Sequence, residues 1–325
     1  MIAGDIYSSR KIRLIDVAEP KLAPATDGQP GQIIFQPELG CLCGSDLVYF
    51  EADYPEFPPQ TGHSLHELIG TVVDTTGDRF RRGDRVLCVP HGQRGLFERI
   101  AIGEDRAIPL DPRPAEEHAL MAQPLGTVIH ALRYMPNVID LNTVVIGQGP
   151  IGQLFCAALR NLGARRIIAI DPLDSRLKTS PMMGATDTIN PDRHDAVEQV
   201  RQWTNGSMAD LVVEAVGHRD LAMNLCIDLC ATRGRILGFG LSEARVDGIQ
   251  WKAMHWKNIT VQMAINPDFT RDFPLAMRWI AEERIDVVPI ITHRFAFHEI
   301  QAAFDMFHER RDGALKVLVE FSAHA

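Results

Sequence analysis

Two rhythms of apolar and polar residues divide the chain. Up to about residue 123, short alternating runs such as "GQIIFQPELG" (31–40) and "LIGTVVDTTG" (68–77) are separated by proline and glycine. Alternation with a period of two predicts half-buried strands, and the intervening turn residues predict short connections. We therefore expect an irregular, mostly β module over the first part of the chain.

After residue 140, short buried runs alternate with helical patterns. "NTVVIG", "RIIAID", "DLVVEAVG" and "RILGFG" are predicted strands, while "PIGQLFCAALRNLG" and "LAMNLCIDLCATRG" are predicted helices. Strands that alternate with helices predict a parallel, doubly wound sheet, so the fold class is α/β. Beyond residue 266 a helix, a strand, a helix and a strand follow, which either extend this sheet or return to the first module.

Composition narrows the class of protein. The 325 residues carry a formal net charge of −9, which disfavours binding to nucleic acid or to an anionic membrane surface. No run reaches the roughly 20 apolar residues that span a bilayer, and the N-terminus lacks a signal-peptide core. The six cysteines are scattered and suggest no disulfide framework. We expect a cytoplasmic protein with no membrane and no nucleic-acid partner.

A dinucleotide-binding fingerprint lies near the start of the part of the chain in which predicted strands and helices alternate. Gly147, Gly149 and Gly152 form G-x-G-x-x-G between a predicted strand and a predicted helix, and Asp171 ends the next strand. In this context the glycines permit a tight turn, a close approach of the backbone to a pyrophosphate and close packing of helix on strand. The phosphates then face the helix N-terminus.

Asp171 also predicts which dinucleotide binds. Its carboxylate accepts hydrogen bonds from a ribose diol and repels a 2′-phosphate, which favours NAD over NADP. Arg176 complicates this prediction, because an arginine there would meet a phosphate or cover the adenine. The predicted cofactor contacts are Gly147, Gly149, Pro150, Ile151, Gly152, Asp171, Arg176 and Gly217.

A candidate metal site lies upstream, in "GCLCGSDLVYF" (40–50) and "TGHSLHELIG" (61–70). Cys41 and Cys43 are too close in sequence for the usual structural-zinc spacing, and no second cysteine pair completes a four-thiolate site. A catalytic zinc needs only about three protein ligands, which Cys43, one histidine and a carboxylate or amide would supply. The residues alone do not exclude the alternative that this cysteine is simply buried in the core and that the histidine caps a turn.

The ordered motifs "CGSD", "HELIGTVV", "GDRV", "QPLGTVIHAL" and the dinucleotide fingerprint resemble the zinc-dependent medium-chain dehydrogenase/reductase superfamily. Within it, the chain is similar to the sorbitol and glucose dehydrogenase branch, and the likeness extends to the closing segment "ITHRFAFHEIQAAFDMFHERRDGALKVLVEF". The resemblance implies a GroES-like, mostly β catalytic domain over 1–123 with 267–325. It implies a Rossmann cofactor domain over 124–266.

By position, the resemblance implies a zinc site of Cys43, His66, Glu67 and Gln123. His66 fits the family frame G-H-E-x-x-G, although Leu65 replaces the glycine, whereas His63 lacks the following glutamate. Residues three apart in an extended chain face opposite sides, so the two histidines are not expected to share a metal. Gln123 stands where polyol dehydrogenases usually have glutamate.

Two departures from the family bear on the chemistry. The four-cysteine lobe that follows "GDRV" in many members is missing, so we expect one catalytic zinc per chain and no structural zinc. Val48 stands where alcohol dehydrogenases often place a relay histidine, which leaves the hydroxyl of Ser45 to take the substrate proton. Tyr49, Phe50 and His63 are candidate substrate contacts, with His63 alternatively a capping residue or a replacement relay.

The sequence thus predicts a zinc-dependent NAD(H) oxidoreductase that interconverts a secondary alcohol, polyol or sugar-like, and its carbonyl compound. Two alternatives remain open at this stage. One is a zinc-free quinone or enone reductase of the same superfamily, and the other is a non-catalytic NAD-binding protein on this fold. The partners expected are a small-molecule alcohol or carbonyl substrate and, by resemblance, further copies of the chain in a homodimer or homotetramer.

Overall fold

The computed structural model describes residues 1–23, 30–52, 57–217, 222–241 and 245–321. These residues form two compact units. The first contains Met1–Gln123 and the chain from Ile291 onward, and the second contains Pro124–Ile290.

The order of the elements agrees with the sequence patterns: strands predominate in the first part of the chain, and strands and helices alternate after residue 140. The strands are β1 (Ile2–Ser8), β2 (Lys11–Asp16), β3 (Gln32–Cys41), β4 (Glu67–Thr75), β5 (Arg85–Cys88), β6 (Ile100–Gly103), β7 (Ala107–Pro109), β8 (Asn142–Ile146), β9 (Arg166–Ile170), β10 (Asp187–Ile189), β11 (Ala209–Glu214), β12 (Cys230–Gly238), β13 (Thr260–Met263), β14 (Ile291–Ala296) and β15 (Lys316–Glu320). The α-helices are α1 (Asp46–Phe50), α2 (Glu116–Leu120), α3 (Ala122–Leu132), α4 (Pro150–Asn161), α5 (Asp174–Thr179), α6 (Ala196–Trp203), α7 (Ala222–Leu229), α8 (Trp251–Lys257), α9 (Phe269–Ala281) and α10 (Ile300–Glu309). Short 3-10 turns cover His91–Gln93, Glu104–Arg106, Val288–Ile290, Phe297–Glu299 and Arg311–Gly313.

The first unit is built around a mixed sheet of order β14-β15-β3-β4-β5-β7, with β6 pairing to β3 and a separate β1-β2 hairpin. The alternation in β3 buries Ile33, Phe35 and the other inward residues in one core, which Phe304 and Phe307 of α10 complete. The mostly β module predicted from the alternating runs is confirmed, and its antiparallel pairs explain that alternation.

Strands β3 and β4 approach each other closely where the candidate metal residues lie. A Cβ at Gly70 would lie 2.0 Å from the carbonyl oxygen of Gln36, so a side chain there would displace the backbone of β3. In the register, Cys41 pairs with Glu67 and Gly40 pairs with Leu68. The glycine of the "HELIG" motif therefore allows β3 and β4, which lie next to the candidate site, to approach each other closely.

The second unit is a six-stranded parallel sheet of order β10-β9-β8-β11-β12-β13. The inner strands β8, β9 and β11 are mostly buried apolar runs, as expected when helices cover both faces of a parallel sheet. The predicted doubly wound α/β sheet is confirmed.

Two sequence predictions about this sheet need correction. The helix predicted over "LAMNLCIDLCATRG" ends at Leu229, and Cys230 already begins β12, where the small Gly234 allows its Sγ a close approach. The strand predicted over "RILGFG" (235–240) begins earlier, at Cys230, and ends at Gly238, and it is an inner strand because β13 pairs on its outer side.

The return of the chain to the first unit occurs at Ile291, later than the predicted residue 267. Helix α9 stays with the second unit because it packs on α3. A Cβ at Gly126 would lie 2.2 Å from the ring of Phe273, and Asp272 accepts a hydrogen bond from His130 Nδ1 over 2.9 Å. His130 thus has a buried carboxylate partner. In the described ranges, no helix has the length and apolar character needed to cross a membrane.

Candidate metal centre and dinucleotide loop

The carboxylate of Asp46 organises the candidate metal site. It is fully buried at the start of α1, where Oδ2 accepts the N–H of Cys43 over 2.8 Å and Oδ1 accepts the N–H of Leu65 over 2.9 Å. His66 Nδ1 lies 3.5 Å from Oδ1. One side chain therefore ties the loop that carries Cys43 to the turn that carries His66.

The turn before His66 has an unusual backbone. Ser64 and Leu65 both have positive φ, +86° and +62°, in the left-handed region that favours glycine. Leu65 occupies the position where the family pattern has glycine. Its backbone lies in the region that favours glycine, although the residue is leucine. The buried leucine side chain and the hydrogen bond from its N–H to Asp46 compensate for this strain.

This turn separates the two histidines, although the predicted reason was wrong. The segment is not extended between them, so alternation along a strand does not set their directions. The left-handed turn places His66 close to Cys43 and Glu67. One potential ligand atom from each of these three residues lies within 4.8 Å of the other two. His63 packs instead on the ring of Tyr49, with ring centroids 3.9 Å apart. In the described part of the chain, this is the one group of three such side chains with metal-binding spacing.

The buried pair of His66 and Asp46 stabilises the charged form of each partner. Burial by itself lowers the pKa of His66, but hydrogen bonding and charge from Asp46 and Cys43 outweigh it and raise the pKa well above its usual range. Burial likewise raises the pKa of Asp46, but the contacts with His66 and with backbone N–H groups outweigh it and lower that pKa.

Glu67 has a partner that the sequence did not assign. Lys316 Nζ lies 2.7 Å from Oε1 and 2.6 Å from Oε2, and both side chains are buried. Burial alone would lower the pKa of Lys316, but the neighbouring Cys41 and Glu67 raise it above the usual lysine range. The lysine thus carries its positive charge beside the candidate metal ligands.

The hydroxyl of Ser45 is buried and has no hydrogen-bond partner among the described residues. Ser45 precedes α1, yet its side chain does not cap that helix. A buried hydroxyl without a partner is costly unless it serves a purpose. It lies two residues from Cys43, so this unpaired hydroxyl is close in sequence to the candidate metal residues.

The remaining candidate residues take different positions. Phe50 is fully buried against Phe304, with ring centroids 4.9 Å apart, so it has no exposed surface for a substrate and belongs to the core. Tyr49 is half-buried beside His63. Burial and the nearby charge of Arg94 lower the pKa of His63. Gln123 is a buried residue in the first turn of α3, and Val48 lies on α1 without a titratable group.

The stretch after β5 runs directly through one 3-10 turn, His91–Gln93, to β6. The described residues there form no separate lobe. Cys88 is buried in β5, and burial raises the pKa of its thiol, so it is poorly suited to bind metal.

The glycine loop of the second unit has the geometry that a dinucleotide needs. Gly147 has φ +89°, and a Cβ at Gly152 would lie 1.8 Å from the carbonyl oxygen of Gly147. Gly149 caps α4 with Pro150 in the first turn, and Ile151 follows. The nearest atoms to a Cβ at Gly149 are 3.9 Å away, in the guanidinium of Arg176, so space remains above the helix N-terminus.

Asp171 is tied to this loop. Its Oδ2 accepts the N–H of Gln148 over 2.7 Å, and its Oδ1 accepts the N–H of Leu173 over 2.8 Å. Arg176 Nη1 lies 3.4 Å from Oδ2. The acidic residue thus positions the glycine loop and neutralises the arginine that complicated the prediction of NAD.

Gly217 lies in a turn shaped by Glu214. The carboxylate accepts the N–H groups of Val216 and Gly217 over 2.8 and 3.1 Å, and Gly240 donates to its other oxygen over 3.1 Å. Gly217 has φ +63°. Glu214 therefore has a structural role in the described turn.

Comparisons with known proteins extend these observations. A family model described as "Zinc-binding dehydrogenase" matches residues 150–282. L-threonine 3-dehydrogenase of Bacillus velezensis is 30% identical over 325 residues, which cover 90% of this chain and 93% of the relative. Erythritol/L-threitol dehydrogenase of Mycolicibacterium smegmatis is 26% identical, covering 90% of each chain.

The chain belongs to the zinc-type medium-chain dehydrogenase family.

The fold agrees with this assignment. The solved structure of alcohol dehydrogenase TADH from Thermus sp. ATN1 matches with a TM-score of 0.87 and 23% identity, covering 99% of this chain and 100% of that chain. The predicted GroES-like and Rossmann folds and the predicted dehydrogenase class are confirmed. Zinc and a nicotinamide dinucleotide are the general cofactors of such dehydrogenases, which act on small-molecule alcohols.

The residues of this dehydrogenase fit a zinc ion. A thiol, an imidazole and a carboxylate converge, and a buried carboxylate lies behind the imidazole, as it does at many zinc-bound histidines. The glycine loop likewise fits a pyrophosphate at the N-terminus of α4.

Sequence reasoning missed two residues of the dehydrogenase site. Asp46 was visible as the last residue of "CGSD", and its spacing of three from Cys43 is typical of a carboxylate that accepts a backbone N–H in a tight turn. Lys316 gave no local signal, because its partner Glu67 is distant in sequence and β3 lies between their strands.

Two alanine substitutions distinguish a glycine that is needed for packing of the loop from a glycine that is needed for binding of the cofactor. Gly152→Ala is expected to lower the free energy of unfolding by about 1–3 kcal/mol, because its Cβ meets the backbone of Gly147. Gly149→Ala is expected to leave stability unchanged, because its Cβ would meet Arg176 only at 3.9 Å, but to weaken NADH binding at least about tenfold, since the new methyl group would lie where the pyrophosphate approaches the backbone. Chemical denaturation and titration calorimetry measure the two effects. Wild-type affinity in Gly149→Ala would contradict this use of the loop.

Proposed function

We propose that this dehydrogenase interconverts a secondary alcohol of the polyol or sugar-like class and its carbonyl compound, with one zinc ion per chain and NAD. The observation that carries the proposal is the convergence of Cys43, His66 and Glu67, with the unpartnered hydroxyl of Ser45 close by in sequence. The substrate class is supported by relatives whose names specify four-carbon polyols and position 3 of L-threonine, all of which contain a secondary hydroxyl.

The metal would be held by Cys43 and His66, with Glu67 and Gln123 as the remaining donors near the site. When bound, zinc supplies a Lewis acid that polarises the substrate oxygen. We propose that no structural zinc accompanies it, since the stretch between β5 and β6 brings only the buried Cys88. Asp46 keeps His66 oriented from behind through Nδ1.

The proton and the cofactor are handled by other residues. Ser45 Oγ would accept the proton of the substrate hydroxyl while its own proton passes on towards the nicotinamide ribose, and the half-buried Tyr49 and His63 line the substrate side. NAD, when bound, supplies the hydride acceptor. We favour NAD over NADP because Asp171 places a buried carboxylate directly after β9, where it would repel a 2′-phosphate, and because the nearby Arg176 is paired with that carboxylate.

We also propose a homo-oligomer, a dimer or a tetramer, assembled through the second unit. Support comes from β13, the edge strand of the six-stranded sheet, whose outer backbone groups pair with no described strand. Around it, large apolar side chains are exposed, including Trp256 at 76% and Met263 at 62%. A cytoplasmic location remains our prediction, and it is consistent with six free cysteines.

Replacing each histidine tests the metal assignment. His66→Ala is expected to lose bound zinc, because it removes the imidazole that Asp46 orients, while His63→Ala is expected to retain about one zinc per chain. Elemental analysis of the purified proteins measures both. Zinc loss in His63→Ala with zinc retained in His66→Ala would reverse the assignment, and a metal-free wild type with reductase activity would instead favour a zinc-free reductase.

Replacing Ser45 tests the proton step. Ser45→Ala is expected to lower turnover of a polyol by about 10²- to 10⁴-fold, the usual contribution of a positioned proton acceptor. Zinc content and the unfolding midpoint should stay unchanged, because Oγ has no hydrogen bond among the described residues. NADH formation is the assay, and Ser45→Thr, which keeps a hydroxyl, is the control. Wild-type turnover in Ser45→Ala would remove the assigned role.

The edge strand offers a matched test of assembly. Met263→Glu is expected to yield monomers, because a charge on β13 opposes pairing with a second copy. Met182→Glu changes a methionine of equal exposure, 62%, away from that strand and should keep the native mass. Light scattering after gel filtration gives the masses. A monomeric wild type, or an unchanged mass in Met263→Glu, would contradict the proposal.

A further inference from the structure

Arg94 is a half-buried arginine that contacts a carbonyl oxygen and not a carboxylate. Its Nε and Nη2 donate to the carbonyl oxygen of Thr61 over 3.2 and 3.0 Å, and its guanidinium carbon lies 5.5 Å from the ring centroid of Phe97. Arg99, half-buried in the same unit, contacts the carboxylate of Glu19 over 3.1 Å. In the described part of the chain Arg94 makes no such ion pair, although the protein has a formal net charge of −9. Its positive charge is therefore available to an anion from outside the chain.

The backbone holds Arg94 beside the turn that leads to His66. Arg94 forms a parallel bridge with Ser64, and the N–H of Gly95 donates to the carbonyl oxygen of Ser64 over 2.9 Å. A Cβ at Gly95 would lie 1.6 Å from the carbonyl oxygen of Leu65, so the two segments are in close backbone contact. Arg94 is thus fixed next to the segment that carries one of the candidate metal ligands.

The chain reaches this place through a sharp turn. Gly92 and Gln93 both lie in the left-handed region, with φ +61° and +56°. Gln93 is not a glycine, so this conformation is strained, and its Oε1 is buried with no hydrogen-bond partner in the described ranges. Strained backbone that persists beside a candidate site is often part of its function. Here the turn directs the chain so that Arg94 meets Ser64.

Arg94 also lies close to His63. Thr61, whose carbonyl oxygen accepts the guanidinium N–H groups, is two residues before this histidine. Burial and the positive charge of Arg94 lower the pKa of His63, against the opposite effect of Asp46. His63 in turn packs on Tyr49, with ring centroids 3.9 Å apart. Since Tyr49 and His63 are the proposed substrate contacts, Arg94 adds a cation to the same group of side chains.

We propose that Arg94 determines substrate specificity by binding an oxyanion, a carboxylate or a phosphate monoester, at one end of the polyol chain. This inference rests on the proposed function and narrows its substrate class to anionic polyols. A guanidinium presents paired N–H donors in one plane that match the oxygens of either group, and such charge-assisted hydrogen bonds are stronger than neutral ones. Thr61 engages Nε and Nη2, so the donors of Nη1 remain for the ligand.

Matched six-carbon compounds test the proposal. Sorbitol is neutral, gluconate carries a carboxylate and sorbitol 6-phosphate carries a phosphate, and the corresponding mannitol and galactitol series vary the configuration. With the zinc-loaded wild type and NAD, the best anionic compound should exceed the neutral polyol of its own series by about 10- to 100-fold in kcat/KM, the range expected for a hydrogen bond to a charged group. A preference for the sugar acids identifies the group as a carboxylate, and a preference for the phosphates identifies a phosphate monoester.

Arg94→Gln should abolish this preference, because it removes the charge and keeps a hydrogen-bonding side chain. Arg94→Lys, which keeps the charge without the planar fork, should retain part of it. Arg99→Gln is the matched control and should keep the wild-type rates on every compound, since that guanidinium is already paired with Glu19. The zinc content and the unfolding midpoint of each variant show whether it is folded.

A folded Arg94→Gln that keeps the preference for anionic compounds would overturn the proposal. A wild type that oxidises the neutral polyols as readily as their anionic counterparts would overturn it too, and that result needs no variant. A zinc-loaded wild type that oxidises none of the compounds with NAD would instead contradict the proposed function itself.

Discussion

The candidate metal site depends on one buried carboxylate. Asp46 holds the N–H of Cys43, the N–H of Leu65 and the ring of His66, which come from two segments separated in sequence. Without this anchor, the left-handed backbone at Leu65 would have no compensation beyond its buried side chain. The thiol and the imidazole therefore converge because two backbone hydrogen bonds and one ion-pair contact share the same carboxylate, in a region of low dielectric where such interactions are strong.

The site contains two buried carboxylates whose environments differ. Asp46 is satisfied by backbone N–H groups and by His66, so it acts on the orientation of a ligand. Glu67 faces the ammonium of Lys316, so its charge is balanced within the protein before any metal arrives. The same residue type thus has two functions, and the partner of each carboxylate decides which one. In the second unit, Asp171 repeats the first pattern by fixing the glycine loop through backbone N–H groups.

Local patterns predicted much of the fold, because period-two alternation and strand–helix rhythm reflect which faces are buried. They failed where a boundary depended on neighbours. Cys230 lies in a strand because β12 needs it for pairing with β11, and α9 stays with the second unit because Phe273 packs against Gly126. Phe50 was read as a substrate wall, but its ring completes the core with Phe304.

The sequence by itself determined the donor types, the glycine fingerprint and the choice of His66 over His63, since these are written in short motifs with fixed spacing. Only the tertiary structure decided how the donors are held. The turn at Ser64 and Leu65 is left-handed although neither residue is glycine, and the surrounding hydrogen bonds impose that conformation. Lys316 meets Glu67 because β15, β3 and β4 are neighbours in one sheet, a fact that no local pattern contains.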